Sequence, residues 1–245
     1  MTIAVKYFYA HTVFWLLLPV SAVQGLWLRK NAIRLPEASG NKAGVCGRGK
    51  SLHLLALGDS IIAGVGITTV AGSMPVQFAK SLARAKQCSV HWRVNGRNGA
   101  DVAHLLAHVN DFSDQKADIL LISIGVNDVT GLSSIKHWRH QLTELVGTLR
   151  QKWPNARVIF AGLPPMSRFP LPPQPLRFTL GLRAAIFDSN LADIVAKQDN
   201  MYHVPTLIDP TQHDFCEDGF HPSAASCSIW AEELVKIQKD DNLAV

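Results

Sequence analysis

Three polar side chains with complementary chemistry stand at widely separated points of the sequence. Ser60 closely follows the apolar run 52–57, and Asp218 precedes His221 by three residues in a segment that contains a glycine. A serine hydroxyl is a weak nucleophile at neutral pH, so it needs an adjacent base, which a third group must orient. His221 suits the role of base and Asp218 that of the orienting carboxylate. These residue types therefore predict nucleophilic attack by Ser60 on a carboxylic ester.

Such a reaction also needs hydrogen-bond donors for the negative charge that develops on the carbonyl oxygen. Asn127 offers a side-chain amide, and it stands in Gly125-Val126-Asn127-Asp128, directly after another apolar run. The backbone N–H groups of Ser60 and Gly99 offer further donors, because a glycine lets the backbone approach a ligand closely. We therefore expect an oxyanion hole formed by Ser60, Gly99 and Asn127.

Four short blocks carry these groups, namely Gly58-Asp59-Ser60, Gly99, Gly125-Val126-Asn127-Asp128 and Asp218-Gly219-Phe220-His221. Their order and spacing resemble the four blocks of the SGNH (GDSL-like) hydrolase family, and the resemblance extends over residues 51 to 239. It implies a flavodoxin-like three-layer α/β/α fold with an esterase or lipase active site, and it gives these residues the same roles. Two positions depart from the family pattern: Ile61 replaces the leucine of the GDSL name, and Asn98 stands where serine is common.

The order of the predicted elements agrees with that fold. Short apolar runs alternate with longer amphipathic stretches, as in βαβ units that form a parallel sheet. The predicted strands cover residues 52–57, 89–95, 118–124, 157–163 and 201–207. The predicted helices cover residues 73–87, 101–112, 134–152, 177–198 and 222–239. This pattern predicts an α/β protein with a five-stranded, mainly parallel sheet, whose site residues meet at the carboxyl ends of the strands.

Other interpretations of the same residues have to be considered. Ser60 could cap a helix, and Asp218 with His221 could belong to a surface turn. A cluster with possible zinc ligands comprises His213, Asp214, Cys216, Asp218 and His221. That cluster leaves the positions of Ser60 and Asn127 unexplained. The glycines after the first strand lack the Gly-Lys-Ser/Thr step of a phosphate-binding loop. We therefore expect serine chemistry that needs no cofactor or metal.

The segment 163–176 contains six prolines and follows the fourth predicted strand. We call it the proline-rich segment. It should lie on the active-site side of the sheet, where Met166, Phe169 and Leu171 could line an acyl pocket. The alternative is a surface loop whose apolar residues pack on the domain. A lid role would favour apolar acyl chains over sugars as substrates.

The amino terminus is almost wholly apolar from residue 8 to residue 28. This length is close to the roughly 20 residues that span a bilayer, and it predicts one N-terminal membrane anchor. A cleaved signal peptide with Val20-Ser21-Ala22 as its processing site is the alternative. The predicted organisation is an anchor or signal-like segment in 1–28, a basic linker with Gly and Pro in 29–50, and a hydrolase domain in 51–245.

Two observations bear on the side of the membrane where the hydrolase domain is expected to lie. The basic residues that follow the anchor favour the cytoplasmic face, whereas the family resemblance implies an envelope or secreted enzyme, so both sides stay open. The four cysteines permit two disulfides, and an exported domain could pair Cys216 with Cys227.

The net charge of the chain bears on which partners it could bind, anionic lipids or nucleic acids. The chain carries a net charge of +5 and has an isoelectric point near 9.1, and its linker could contact anionic lipid headgroups. It has no recognisable nucleic-acid-binding module, so we expect no nucleic-acid partner. The expected partners are a small-molecule or lipid ester and a membrane. A thioesterase, a lysophospholipase, a glycan O-deacetylase and a catalytically idle anchored binding protein are the alternatives.

Overall fold

The computed structural model describes residues 3–112, 116–206 and 214–240. A central sheet contains six strands: β1 Ala43–Gly47, β2 Ser51–Gly58, β3 Ser89–Gly96, β4 Ile119–Ser123, β5 Arg157–Ala161 and β6 Met201–Val204. Their spatial order is β1-β3-β2-β4-β5-β6. Strand β1 is antiparallel to β3, and all other neighbours are parallel. The predicted mainly parallel sheet is confirmed, with one strand more than expected.

Eight α-helices accompany the sheet in the described residues: α1 Ile3–Asn31, α2 Ser60–Ala63, α3 Met74–Lys86, α4 Val102–His108, α5 Val126–Thr130, α6 Ile135–Lys152, α7 Leu176–Val195 and α8 Ala224–Asp240. Helices α3 and α8 share one hydrophobic core with a face of the sheet. Helices α4, α6 and α7 share the other core with the opposite face. The predicted three-layer α/β/α architecture is thus confirmed.

The residues of β2 explain why this strand lies at the centre of the sheet. Successive side chains of a strand point to opposite faces, and in β2 both faces are apolar. Leu54 and Ala56 pack in the core of α3 and α8, whereas Leu55 and Leu57 pack in the core of α4, α6 and α7. A strand that is buried on both faces reads as a continuous apolar run, as parallel strands do.

Strand β1 lies inside the stretch that the sequence predicts to be a linker. Ala43–Gly47 pairs in register with Arg93–Ser89 at the edge of the sheet. Gly44 permits this pairing, because a Cβ at that position would lie 2.5 Å from the indole of Trp92. A short, glycine-containing edge strand has no apolar alternation, and its sequence therefore resembles a linker.

Several element boundaries differ from the predicted ones. Helix α4 ends at His108 and continues as a 3-10 turn over Val109–Phe112, where one helix was expected over 101–112. Strand β6 ends at Val204, and the last predicted residue of that strand, 207, lies outside the described residues. The short helices α2 and α5 were not predicted, because four- and five-residue helices carry no helical periodicity.

Helix α1 occupies the apolar amino terminus. Nowhere in the described ranges is a helix both long and apolar enough to cross a bilayer, so the predicted single span finds no support. Exposed apolar side chains on this helix are Leu16, Val20, Val23, Leu26 and Trp27. Ser21 on another face of α1 is buried against α7, where it accepts a hydrogen bond from Thr179. Membrane attachment and its side stay predictions.

Candidate active site

Ser60 is the first residue of α2 and follows the carboxyl end of β2 after a tight turn. Gly58 makes the turn with a φ of 151°, and a Cβ there would lie 1.9 Å from the Ser123 carbonyl oxygen. Asp59 caps α2, because its Oδ1 accepts a hydrogen bond from the Ile61 N–H at 3.0 Å. The residues that precede Ser60 therefore fix the turn that presents it.

Asp218 and His221 form a hydrogen-bonded pair within one short turn, which we call the Asp–His turn (residues 216–221). The distance from His221 Nδ1 to Asp218 Oδ2 is 2.6 Å. The other oxygen, Asp218 Oδ1, accepts from the backbone N–H groups of Phe220 at 2.9 Å and His221 at 3.0 Å. Gly219 allows the chain to reverse here with a φ of 61°.

The environment of Asp218 favours its ionised form. Burial alone would raise the pKa of this carboxyl, but the hydrogen bonds from the His221 ring, His221 N–H and Phe220 N–H outweigh it and hold the pKa below its ordinary value. An ionised carboxylate can only accept hydrogen bonds, so the His221 proton must sit on Nδ1. Nε2 is then available as a base.

Ser60 and His221 line the same partly open cleft. Most of its other lining residues are apolar: Ile61, Val126, Pro164, Pro165, Phe169, Phe215, Phe220, Pro222 and Trp230. The predicted nucleophile and the predicted base, which are distant in sequence, thus meet at one cleft. The chemistry that such a site can perform is transfer of an apolar acyl group to the serine.

Asn127 is hydrogen-bonded to the residue that follows Gly99. Asn127 stands in the first turn of α5, and its Nδ2 donates to the Ala100 carbonyl at 2.8 Å. An amide nitrogen carries two hydrogens, so one remains for a ligand oxygen. Gly99 is exposed, has a φ of 80°, and has no atom within 4 Å of a Cβ built on it. Its backbone is therefore open to a ligand.

Comparison with known families agrees with this geometry. The sequence profile of the GDSL-like lipase/acylhydrolase family matches residues 56–226, which include every predicted site residue. The chain belongs to that family. Members of the GDSL-like family are carboxylic ester hydrolases, and the hydrolase class predicted from the sequence is confirmed.

Solved structures share the GDSL-like fold at low sequence identity. The Clostridium thermocellum family 3 carbohydrate esterase is 17% identical with a TM-score of 0.64, and the match covers 78% of this chain and 96% of that one. An acetylxylan esterase from Geobacillus stearothermophilus is 21% identical with a TM-score of 0.59, covering 78% and 94%. At such identities the likeness concerns the fold.

One curated relative matches a part of this GDSL-like chain. An uncharacterized protein from Mycoplasma pneumoniae is 28% identical over 122 residues. The match covers 46% of this chain and 14% of the relative. It therefore says nothing of the substrate.

The zinc alternative gains no support from the described residues. No group of three or more His, Cys, Asp or Glu side chains in them could hold a metal ion, and His213 of the proposed cluster lies outside them.

The four cysteines are free thiols, so the conditional Cys216–Cys227 disulfide is not formed. Burial raises the pKa of Cys227 to about 12, which makes that thiol a poor nucleophile at neutral pH.

Asp59 and Asp128, each adjacent to a predicted site residue, have buried carboxyl groups with a raised pKa. Each residue is 1% exposed. Asp128 accepts a hydrogen bond from the Val102 N–H at 3.1 Å, and Asp59 accepts one from the Ser123 hydroxyl at 3.2 Å. Asp59 Oδ2 is buried and has no partner among the described residues. Burial is the main cause that raises the pKa of both carboxyls to about 7. Sequence reasoning misses this property because it depends on burial.

A pH-dependent stability follows from Asp59. An acid whose pKa is higher in the folded than in the unfolded chain binds more protons when folded, so stability falls as the pH rises through that interval. With a folded pKa of about 7 and an unfolded value near 3.9, the loss amounts to roughly 3 kcal/mol between about pH 5 and pH 8.

The Asp59→Asn variant should lose much of this pH dependence, because an amide mimics the protonated acid. Urea unfolding of wild type and variant at both pH values measures the difference. Asp111→Asn, at an exposed position, is the matched control and should behave like the wild type. Equal pH dependence of wild type and Asp59→Asn would contradict this account.

Removal of the Asn127 amide should lower kcat for ester hydrolysis. If the amide stabilises the oxyanion, Asn127→Ala lowers kcat by roughly 10² to 10³ while KM changes little. Steady-state kinetics with p-nitrophenyl butyrate measures both constants. Asn110→Ala, an exposed substitution outside the cleft, is the control. An unchanged kcat in Asn127→Ala would remove this residue from the oxyanion hole.

Proposed function

We propose that this GDSL-like protein is a serine carboxylesterase that hydrolyses esters of apolar acyl groups through an acyl-enzyme. The observation that carries the proposal is the cleft that Ser60 and His221 line together, with His221 hydrogen-bonded to Asp218 behind it. The triad and the oxyanion hole are assigned by this proposal, which residue chemistry and the family membership support.

In the first half-reaction, His221 Nε2 takes the hydroxyl proton of Ser60 as its Oγ attacks the ester carbonyl carbon. The negative charge passes to the carbonyl oxygen, which the Ser60 and Gly99 N–H groups and the Asn127 amide stabilise. The tetrahedral intermediate then collapses. The bond to the leaving alkoxy group breaks, and the His221 imidazolium donates its proton to that oxygen.

In the second half-reaction, water replaces the alcohol. His221 takes a proton from the water as its oxygen attacks the acyl carbon, and the second tetrahedral intermediate releases Ser60 Oγ, which recovers a proton from His221. The products are a carboxylic acid and the free enzyme. Asp218 keeps the imidazole in the required tautomer in both steps and does not itself take up the proton.

The aromatic wall of the cleft supports an apolar acyl group. Phe169 lies edge-on to Phe215 at 5.1 Å and to Phe220 at 5.2 Å, measured between ring centroids. Phe220 in turn lies edge-on to the His221 ring at 5.4 Å. An apolar wall beside the base favours burial of alkyl chains. Thioesterase, lysophospholipase and glycan deacetylase chemistry would use the same catalytic groups, but a sugar would leave the polar groups it brings unpaired against this wall.

The acyl preference tests the proposal. With p-nitrophenyl esters from acetyl to palmitoyl, we expect kcat/KM to be higher for butyryl or longer chains than for acetyl. Phe169→Ala should lower kcat/KM for the preferred ester roughly tenfold or more by removing the packed ring. Phe178→Ala, a substitution on α7 outside the cleft, should have little effect. A preference for acetyl that Phe169→Ala leaves unchanged would contradict the apolar acyl pocket.

A further inference from the structure

The side-chain amide of Gln24, on helix α1, makes two hydrogen bonds to the rest of the chain. Gln24 Nε2 donates to the Gln174 carbonyl at 2.7 Å, and Gln24 Oε1 accepts from the Leu176 N–H at 3.0 Å. One side chain thus pairs with the backbone on both sides of Pro175, as a neighbouring strand would. This contact fastens the carboxyl end of the proline-rich segment, which lies 150 residues further along the chain.

The proline-rich segment has few backbone donors with which to hold itself in place, because proline lacks an N–H. The Arg177 guanidinium supplies donors from α7, bonding the Pro172 carbonyl at 2.7 Å and the Pro170 carbonyl at 3.0 Å. Gln24 acts at the same junction, since it bonds the N–H of Leu176, the first residue of α7. The junction between segment and helix is thereby tied to α1.

Residues 169–171 of the proline-rich segment pack against the Asp–His turn. The Leu171 N–H donates to the Gly219 carbonyl at 3.2 Å. A Cβ at Gly219 would lie 3.3 Å from both Leu171 N and Pro170 Cγ, so the two backbones pack closely. Phe169 packs against Phe220, which adjoins His221. The segment therefore bridges α1 and the pair that activates Ser60.

We propose that Gln24 is a positioning residue, which fastens the proline-rich segment and thereby holds the Asp–His turn in register with Ser60. Helix α1 then takes part in catalysis and is more than an attachment element. This inference rests on the proposed function as far as turnover is concerned, whereas the order of the Asp–His turn can be measured independently of any substrate.

The test uses the full-length protein with two substitutions of Gln24. Gln24→Met keeps the size of the side chain and removes both hydrogen bonds, and Gln24→Glu keeps the acceptor for the Leu176 N–H but not the donor to the Gln174 carbonyl. Val23→Ala, on an exposed part of the same helix, is the control. Hydrogen exchange followed by mass spectrometry reports on peptides that cover 216–223, and steady-state kinetics reports on kcat and KM.

We expect faster amide exchange of the Asp–His turn in Gln24→Met and in Gln24→Glu, whose carboxylate would turn an acceptor oxygen toward the Gln174 carbonyl, and none in Val23→Ala. We also expect kcat to fall roughly tenfold in Gln24→Met with KM almost unchanged, within the 10²-fold loss that a misplacement of about 1 Å remote from the chemistry can cause.

Unchanged exchange of the Asp–His turn in both Gln24 variants would overturn the inference, as would a lower melting temperature with wild-type kcat. A wild type without Ser60-dependent turnover would instead contradict the proposed function. In that case the exchange result alone decides on the role of Gln24.

Discussion

Substitution of Ser60 by alanine should abolish ester hydrolysis, with kcat/KM at least about 10⁴-fold below that of the wild type. The variant removes only the hydroxyl oxygen, so no group remains that can form the acyl-enzyme. The fold should persist, because the Ser60 carbonyl keeps its hydrogen bond from the Val65 N–H at 3.0 Å. Initial rates with p-nitrophenyl butyrate measure the loss, and the melting temperature reports on folding.

A matched serine is available as a control for this experiment. Ser81 is 7% exposed, as Ser60 is, but lies on α3 outside the cleft. Ser81→Ala should retain wild-type kinetics. Full activity of Ser60→Ala would remove the assigned nucleophile and revive the alternative of a different reacting group, whereas inactivity of both variants would point to general damage.

Substitution of Asp218 by asparagine should have the second largest effect and lower kcat by roughly 10³ to 10⁴. The amide can still accept from the Phe220 and His221 N–H groups through its oxygen. Its nitrogen would then face His221 Nδ1 and donate to it, which drives the ring proton to Nε2. The ring could no longer take the Ser60 proton, although the shape of the site would be preserved.

A second Asp–His pair in the same sheet provides the control. His53 Nδ1 lies 3.0 Å from Asp118 Oδ2, so the same two atoms meet as in the Asp–His turn. This pair lies at the amino-terminal end of β2 and β4, away from the carboxyl ends that carry the cleft. Asp118→Asn should leave kcat unchanged. A kcat of Asp218→Asn within a few-fold of the wild type would contradict the tautomer argument.

The blocks that carry the proposed catalytic residues were predictable from the sequence because their information is local. Gly58 and Gly125 stand where the backbone adopts a positive φ, and Ser60 and Asn127 follow short apolar runs that predict buried strands. Since the carboxyl ends of parallel strands lie at one edge of a sheet, residues that are distant in sequence were expected to meet there. The His221–Asp218 pair needs only three residues of chain.

Other features could not be predicted, because they depend on contacts between distant segments or on burial. Strand β1 has no apolar pattern, and it pairs with β3 at the edge of the sheet. The bond between Gln24 and Leu176 joins residues 152 positions apart, and no local pattern indicates it. The raised pKa values of Asp59 and Asp128 result mainly from removal of the carboxyls from water, which a sequence shows only after the fold is known.

The most direct test of the central claim is covalent labelling of the full chain with a fluorophosphonate. Attack by an activated serine on phosphorus expels fluoride and leaves a stable phosphonyl ester, which peptide mass spectrometry can locate. We predict one adduct per chain, on Ser60, with esterase activity lost in proportion to labelling and no adduct in Ser60→Ala. An adduct on another residue, or full hydrolysis of p-nitrophenyl esters by a chain labelled on Ser60, would contradict the account.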